Sequence, residues 1–172
     1  MLVGMGRAPE QPRWLTDEEQ QLWRGFLAVN QLLFDALDRQ LQAEAGMPHA
    51  YYILLAVLSE APERSLRMSE LAEISNSSQS RISHAVARLE EAGWVRRRKV
   101  DRDRRGSLAV LTDEGWEVLM RTAPGHVGAV RENLFDLLSR EQVRQLADIC
   151  TALLDKLDPD AQLGLTRASR GN

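Results

Sequence analysis

The sequence of 172 residues contains a single cysteine, Cys150, so it cannot build an internal disulfide framework. A lone cysteine is typical of proteins that fold in a reducing compartment. Apolar runs are short: the run at residues 51–58 has eight residues, far fewer than the roughly 20 that cross a bilayer. The first twelve residues lack the charged start and apolar block of a secretion signal. We therefore expect a soluble, cytoplasmic protein.

The chain also lacks the motifs that most enzymes need. It has no glycine-rich loop suited to phosphates, and no Ser/His/Asp or His/Glu group at a spacing useful for catalysis. The histidines His49, His84 and His126 lie far apart, and no close His or Cys spacing completes a zinc site. We therefore expect that the protein is not an enzyme and that it binds no metal and no cofactor. We expect His49 and His126 to cap helices or to pack in the core.

What the chain does have is a local excess of positive charge. Residues 79–107 contain nine Lys or Arg against four Asp or Glu, a net charge of +5, whereas the whole chain carries −3, so the remaining residues sum to −8. A basic patch on an acidic protein is expected where the surface meets a polyanion. A solvated surface without a partner is the alternative, but the patch adjoins a helix with a polar outer face, which favours DNA.

Apolar residues at helical spacing predict six helices, which cover residues 17–45, 49–59, 68–74, 79–92, 112–137 and 139–157. Capping boxes open the first helix (Thr16 and Glu19) and the last (Ser139 and Gln142). Pro124 should kink the fifth helix or split it. Two short basic segments, 94–100 and 107–112, predict a β-hairpin whose turn covers 101–106.

Short helices followed by a hairpin are the arrangement of a winged helix-turn-helix. The long flanking helices are apolar along one face, so they need a partner, and a second copy of the chain is the simplest one. Cys150 lies on the apolar seam of the last helix, where we expect it to pack as a small hydrophobic residue rather than to act as a redox sensor.

At this point the chain resembles the MarR family of bacterial transcriptional regulators, from about residue 16 to residue 157. The motifs that carry the resemblance are Met68-Ser69-Glu70-Leu71-Ala72, Ser80-Arg81-Ile82-Ser83-His84, Arg88-Leu89-Glu90, Gly93-Trp94-Val95, Asp103-Arg104-Arg105-Gly106 and Leu111-Thr112. Each motif alone is weak, but together, in this order and at these separations, they are specific.

The resemblance implies a mainly α homodimer on a pseudo-palindromic operator, with a winged helix-turn-helix lobe, a two-stranded β wing and long N- and C-terminal dimerisation helices. We predict one winged-helix domain at 16–158, between a flexible N-terminal extension at 1–15 and a flexible tail at 159–172. Within the domain, the DNA-binding lobe should cover about 48–112, and the dimerisation helices about 16–45 and 124–157.

The polar face of the predicted helix 79–92 is the expected DNA-reading surface, because helix-turn-helix proteins insert this end of the helix into the major groove. Gln79 could pair with adenine and Arg81 with guanine, whereas the serines and Arg88 would hold phosphates. The resemblance places the wing tip in the minor groove, with Arg102 or Arg104 inserted. The predicted DNA-binding residues are Ser78, Gln79, Ser80, Arg81, Ser83, His84, Arg88, Arg102, Arg104 and Arg105.

Alternation along the first strand sends neighbouring side chains to opposite faces, so about half of the basic residues at 96–99 should be scaffold of the wing.

A pocket for a small aromatic or phenolic effector, which the resemblance implies, could be formed by Trp23, Phe26, His49, Tyr52, Trp116 and Met120. Ordinary core packing is the alternative interpretation of these side chains.

The sequence therefore predicts a homodimeric, sequence-specific DNA-binding transcriptional regulator that acts as a repressor. The alternative is a protein that coats DNA without sequence preference and uses the same basic surface. Steep salt dependence would occur in both cases, whereas only the regulator would prefer a specific site strongly over random DNA.

Overall fold

The computed structural model describes residues 12–100 and 103–159, with residues 100 and 103–105 described as backbone only. The helices are α1 (Asp17–Ala45), α2 (His49–Glu60), α3 (Met68–Ile74), α4 (Gln79–Glu91), α5 (Asp113–Asn133) and α6 (Arg140–Leu157). The strands are β1 (Ser65–Arg67), β2 (Val95–Val100) and β3 (Asp103–Leu111), and short 3-10 helices cover Pro62–Arg64 and Phe135–Leu137. The mainly helical fold predicted from the sequence is confirmed.

The chain divides into two compact units, Met1–Leu32 and Leu33–Asn172, with the boundary inside α1. The second unit contains a hydrophobic core formed by the inner faces of α2, α3 and α4 and by the base of the sheet. Its most deeply buried side chains are Leu41, Met47, Leu55, Leu58, Leu71, Val86 and Leu89. This core fixes the position of α4, whose outer face is the predicted DNA-reading surface.

Local capping explains where the long helices begin and end. The Thr16 N–H donates to the Glu19 carboxylate (2.8 Å), and the Glu19 N–H donates to the Thr16 hydroxyl (3.2 Å). The same reciprocal pair joins Ser139 and Gln142 before α6. Gly46 adopts a φ of 62° directly after α1, in the left-handed region that glycine enters at little cost. Both predicted capping boxes are thus confirmed.

The sheet has three strands in the order β1-β3-β2, so the predicted two-stranded wing is incomplete. β1 pairs antiparallel with β3 through Leu66 opposite Ala109, and β2 pairs with β3 through Val95 opposite Leu111. β1 has only three residues, too few for an alternating pattern to be visible in the sequence. The longer hairpin is formed, and its strands carry the wing.

Of the two outcomes predicted at Pro124, a kink or a split, the split is wrong, because α5 continues through the proline from Asp113 to Asn133. Proline removes one helical N–H and crowds the preceding turn. Side chains on both sides of Pro124 are buried, however, including Leu119 before it and Ala129 after it. This packing holds both halves in one helix. Consequently His126 lies inside α5 and does not cap a helix, and α5 begins well before residue 124.

Large apolar side chains remain exposed on the described chain, in both units. The most exposed of them on α1 and α6 include Leu22, Val29, Leu32, Ile149 and Leu157. Cys150 is also exposed, so its expected packing does not occur within the single chain. The seam of α6 on which it lies stays uncovered, with no fully buried residue on that helix.

No helix in the described part of the chain combines the length and the apolar character that a membrane crossing requires.

Candidate nucleic-acid interface

The candidate interface is built on α4, which is fixed at its ends and along its inner face. The Arg81 N–H donates to the Ser78 hydroxyl (3.3 Å), so Ser78 caps the helix as predicted. Ile82, Val86 and Leu89 are buried in the core. Their spacing of three and four residues turns the opposite side of the helix outward.

The outward side of α4 carries polar and cationic groups in its first two turns. Gln79, Ser80, Arg81 and His84 are exposed. Glutamine and arginine side chains can each form two hydrogen bonds to one base edge in a major groove, which serine hydroxyls cannot do. The structure therefore leaves Gln79 and Arg81 accessible to double-stranded DNA, and their predicted contacts stay predictions.

Two further predicted residues of α4 already have protein partners. Arg88 Nη1 lies 2.8 Å from Glu91 Oε2, and both side chains are largely exposed. Exposed pairs of this kind contribute little stability, and the predicted phosphate contact of Arg88 stays a prediction. Ser83 is half-buried, and its hydroxyl accepts a hydrogen bond from Arg97 (3.3 Å).

The wing adds cationic side chains next to α4. Arg96, Arg98 and Lys99 are exposed on β2, and a bulge between Lys99 and Val100 shifts the register of the hairpin. The predicted wing-tip contacts of Arg102, Arg104 and Arg105 stay predictions, because Arg102 lies outside the described residues and the side chains of Arg104 and Arg105 are not described. Arg97 differs from its neighbours because it turns back onto α4.

Two of the predicted effector residues, His49 and Tyr52, lie together with His126 in what we call the histidine cluster. The His126 ring centroid lies 5.4 Å from that of His49 and 4.3 Å from that of Tyr52. His126 Nδ1 is buried and has no hydrogen-bond partner among the described residues. The His49 backbone N–H donates to Asp38 Oδ1 (2.8 Å).

Burial lowers the pKa of both histidines in this cluster. For His126, the neighbouring His49 lowers the pKa further. For His49, the Asp38 carboxylate opposes the effect of burial. Desolvation also raises the pKa of Tyr52. The cluster therefore favours uncharged rings. Within residues 12–100 and 103–159, no three His, Cys, Asp or Glu side chains are grouped as metal ligands would be.

The other predicted effector residues make different contacts. Trp23 and Phe26 stack on each other in the first unit, with ring centroids 6.2 Å apart. The Arg64 guanidinium lies over the Trp116 ring, with Arg64 Cζ 4.2 Å from the ring centroid. Met120 is exposed. A surface groove of about 680 Å³ contains none of the six residues and lies beside α3 and β2 instead. The effector pocket stays a prediction.

Sequence reasoning missed the contacts that Arg97 makes with Ser83 and Glu90. In the sequence, Glu90 stands out as one of four acids in the basic segment and as the last residue of the motif Arg88-Leu89-Glu90. Seven residues separate Glu90 from Arg97, and a helix end and a turn lie between them. No local spacing rule links two residues across such a change of direction, so the contact could be found only from the fold.

Comparison with known proteins gives a consistent family. Residues 45–106 match the MarR family model. The crystal structure of Sco3205, a MarR family transcriptional regulator from Streptomyces coelicolor in complex with DNA, has 56% sequence identity and a TM-score of 0.83. This similarity covers 87% of the present chain and 94% of the Sco3205 chain.

Two further relatives are transcriptional regulators. The HTH-type transcriptional regulator PecS of Dickeya dadantii (strain 3937) is 32% identical over 124 residues, which are 72% of each protein. The transcriptional repressor MprA of Escherichia coli (strain K12) is 29% identical over 148 residues, 86% of the present chain and 83% of MprA. The present chain belongs to the MarR family of transcriptional regulators.

Proposed function

We propose that this regulator is a homodimer that binds double-stranded DNA at a specific pseudo-palindromic operator and acts there as a repressor. The observation that carries the proposal is the exposed polar face of α4, with Gln79, Ser80, Arg81 and His84 presented from a helix that Ser78 caps. Sco3205, whose structure was solved in complex with DNA, is 56% identical to this chain and supports the same type of partner.

On this proposal α4 enters the major groove with its N-terminal turns. Arg81 donates two hydrogen bonds to a guanine, and Gln79 pairs with an adenine. Ser80 and Arg88 contact phosphates, which sets the position of the helix without reading bases. The wing reaches the neighbouring minor groove with Arg102 or Arg104, where a narrow groove attracts arginine.

The exposed apolar side chains support the dimer. Leu22 on α1 is 73% exposed, and Leu157 on α6 is 77% exposed. Large apolar side chains that are this exposed mark an interaction site, and closed two-fold dimers are the commonest assembly of a soluble chain. A two-fold dimer presents two copies of α4, which matches a pseudo-palindromic site with half-sites about one helical turn apart. The similarity to MprA supports repression as the direction of regulation.

Selection of binding sites from random duplex DNA at near-physiological salt tests this function. The expected result is an enriched, two-fold symmetric motif. Binding without any enriched motif would contradict sequence-specific regulation and would support the DNA-coating alternative. The variant Arg81→Ala, carried through the same selection, should lose the preference at one position of each half-site.

A further inference from the structure

Arg97 is placed to connect the wing to α4. It lies on β2, which pairs with β3 and forms one edge of the sheet. The Arg97 backbone N–H donates to Glu90 Oε1 at 2.8 Å. Glu90 therefore binds the backbone of the wing strand, although it belongs to the helix.

The Arg97 side chain reinforces this contact at two points of α4. Its Nε lies 3.0 Å from Glu90 Oε2, so the carboxylate binds the backbone with one oxygen and the guanidinium with the other. Its Nη2 donates to the Ser83 carbonyl (2.7 Å) and lies 3.3 Å from the Ser83 hydroxyl. Ser83 and Glu90 are seven residues apart, about two helical turns, and share one face. We call these contacts the Arg97 bridge.

The Arg97 bridge is better suited to holding position than an exposed ion pair. Arg97 and Glu90 are 35% and 31% exposed in their side chains, compared with 69% and 64% for the Arg88–Glu91 pair. Partial burial reduces screening by solvent and salt, and hydrogen bonds between charged partners are the stronger ones. A guanidinium offers donors in a fixed fork, which the single ammonium of lysine does not reproduce.

We propose that Arg97 is a positioning residue that sets the wing relative to α4, with Glu90 as its partner. The inference rests on the proposed function, because the two elements are taken to bind adjacent grooves of one operator. Docking into two grooves together requires a fixed distance and angle between helix and wing. Arg97 supplies this geometry through Glu90 and Ser83, and its guanidinium is occupied by protein rather than by phosphate.

A contrasting account treats Arg97 as one more phosphate contact and Glu90 as an acid that repels DNA. The two accounts differ in sign for one substitution. Removing the negative charge with Glu90→Gln should tighten DNA binding if only charge matters. It should weaken binding if the carboxylate positions the wing. Glu91→Gln is the matched control, because it removes the same charge from the next residue of the same helix.

The test measures the affinity of the full-length protein for its selected duplex by fluorescence anisotropy. We expect Glu90→Gln to weaken binding about tenfold, or about 1.4 kcal/mol, while Glu91→Gln does not weaken it. Arg97→Lys, which keeps the charge, should lose affinity to a similar extent. The double variant Glu90→Gln with Arg97→Gln should bind no more weakly than Arg97→Gln alone, because both remove one interaction. Tighter binding by Glu90→Gln, or unchanged binding by Arg97→Lys, overturns the proposal.

Amide hydrogen exchange of the DNA-free protein separates this proposal from the proposed function. Glu90→Gln should raise exchange at residues 95–99 on the order of tenfold, while the buried helix α2 stays protected. Glu91→Gln should leave both segments unchanged. If the protein selects no duplex, the proposed function fails, but the Arg97 bridge is still tested. Unchanged exchange at 95–99 in Glu90→Gln overturns it, and so does increased exchange through the whole lobe.

Discussion

At the scale of single residues, protonation of the histidine cluster should lower the free energy of unfolding. His126 has a buried Nδ1 without a described partner, and its ring lies against His49 and Tyr52. Protonating one ring places a charge in a desolvated site beside the second histidine. The depressed pKa values of His49 and His126 express this cost.

The folded protein should therefore lose stability as the pH falls. Because the folded-state pKa of His126 lies below the ordinary value of 6.5, the unfolded chain binds protons first. The free energy of unfolding should be highest above about pH 7 and should decrease from about pH 6.5 down to the folded-state pKa. Denaturant unfolding at fixed protein concentration, at several pH values, measures this slope.

His126→Gln should flatten that pH dependence because it removes one titrating ring. His84→Gln is the control, since His84 is exposed on α4 outside the cluster, and its profile should follow that of the unsubstituted protein. An unchanged slope in His126→Gln would show that other groups cause the loss of stability at low pH.

On the proposed function, Arg81 is the residue of α4 whose loss should affect base recognition most. It is exposed, and its backbone N–H, not its side chain, makes the capping contact with Ser78. Arg81→Ala should leave the helix in place and cost about 1–3 kcal/mol of binding free energy at the preferred site, with relaxed preference at one base position. Affinities for the operator and for single-base variants of it measure both effects.

Arg88→Ala is the matched comparison for Arg81→Ala on the same helix. As a phosphate contact, Arg88 should contribute nearly the same binding free energy on every DNA sequence. Its loss should reduce the slope of the logarithm of affinity against the logarithm of salt concentration by about one. Equal loss on all sequences for both variants would contradict base recognition by Arg81.

At the scale of elements, the start of α5 closely approaches the turn between α4 and β2. Thr112 caps α5 by accepting from the Gly115 N–H (3.0 Å), and its hydroxyl donates to the Gly93 carbonyl (2.7 Å). A Cβ on Gly115 would overlap with the Trp94 carbonyl oxygen. This contact involves backbone, so a side chain cannot rotate away to relieve it.

Gly115→Ala should therefore destabilise the fold by about 1–3 kcal/mol, as overpacking does. Gly128→Ala is the control in the same helix, because nothing lies within 4 Å of its added Cβ. There alanine should stabilise the helix by about 0.5–1 kcal/mol. Chemical denaturation of both variants at one protein concentration gives the comparison. A stabilised Gly115→Ala would contradict the close approach of α5 to the Trp94 backbone.

The elements also show what the sequence can and cannot predict. The ends of α1 and α6 follow from Thr16 and Ser139, because capping is a local interaction. β1 was missed since its three residues form a strand only by pairing with β3. For a similar reason the sequence left open whether Pro124 splits α5, because the continuity of this helix depends on burial on both sides of the proline. The polar face of α4 was predictable, but the hydrogen bonds from the Arg97 side chain to Ser83 were not.

At the scale of the whole molecule, charge and apolar surface are separated along the chain. Positive charge is concentrated in residues 79–107, which carry +5 in a chain of −3. Exposed apolar side chains lie on α1 and α6, among them Leu22 and Leu153. Concentrated positive charge is suited to a polyanion. On the proposed function, a second copy of the chain covers the apolar side chains.

Sedimentation equilibrium should give twice the chain mass of 19.4 kDa. Leu153→Glu places a charge on the apolar seam of α6 and should raise the dimer dissociation constant about tenfold or more. Gln145→Glu adds the same charge at an exposed polar position of this helix and should leave the dimer intact. A monomer in the unsubstituted protein at micromolar concentration would contradict the proposed assembly.

The central claim is that two copies of α4 recognise a specific DNA sequence. The most direct measurement is the ratio of affinities for the selected duplex and for a scrambled duplex of equal length and composition, at a near-physiological salt concentration of about 0.15 M. We predict that the selected site binds at least about 10³-fold more tightly. Nearly equal affinities for the two duplexes would contradict the claim.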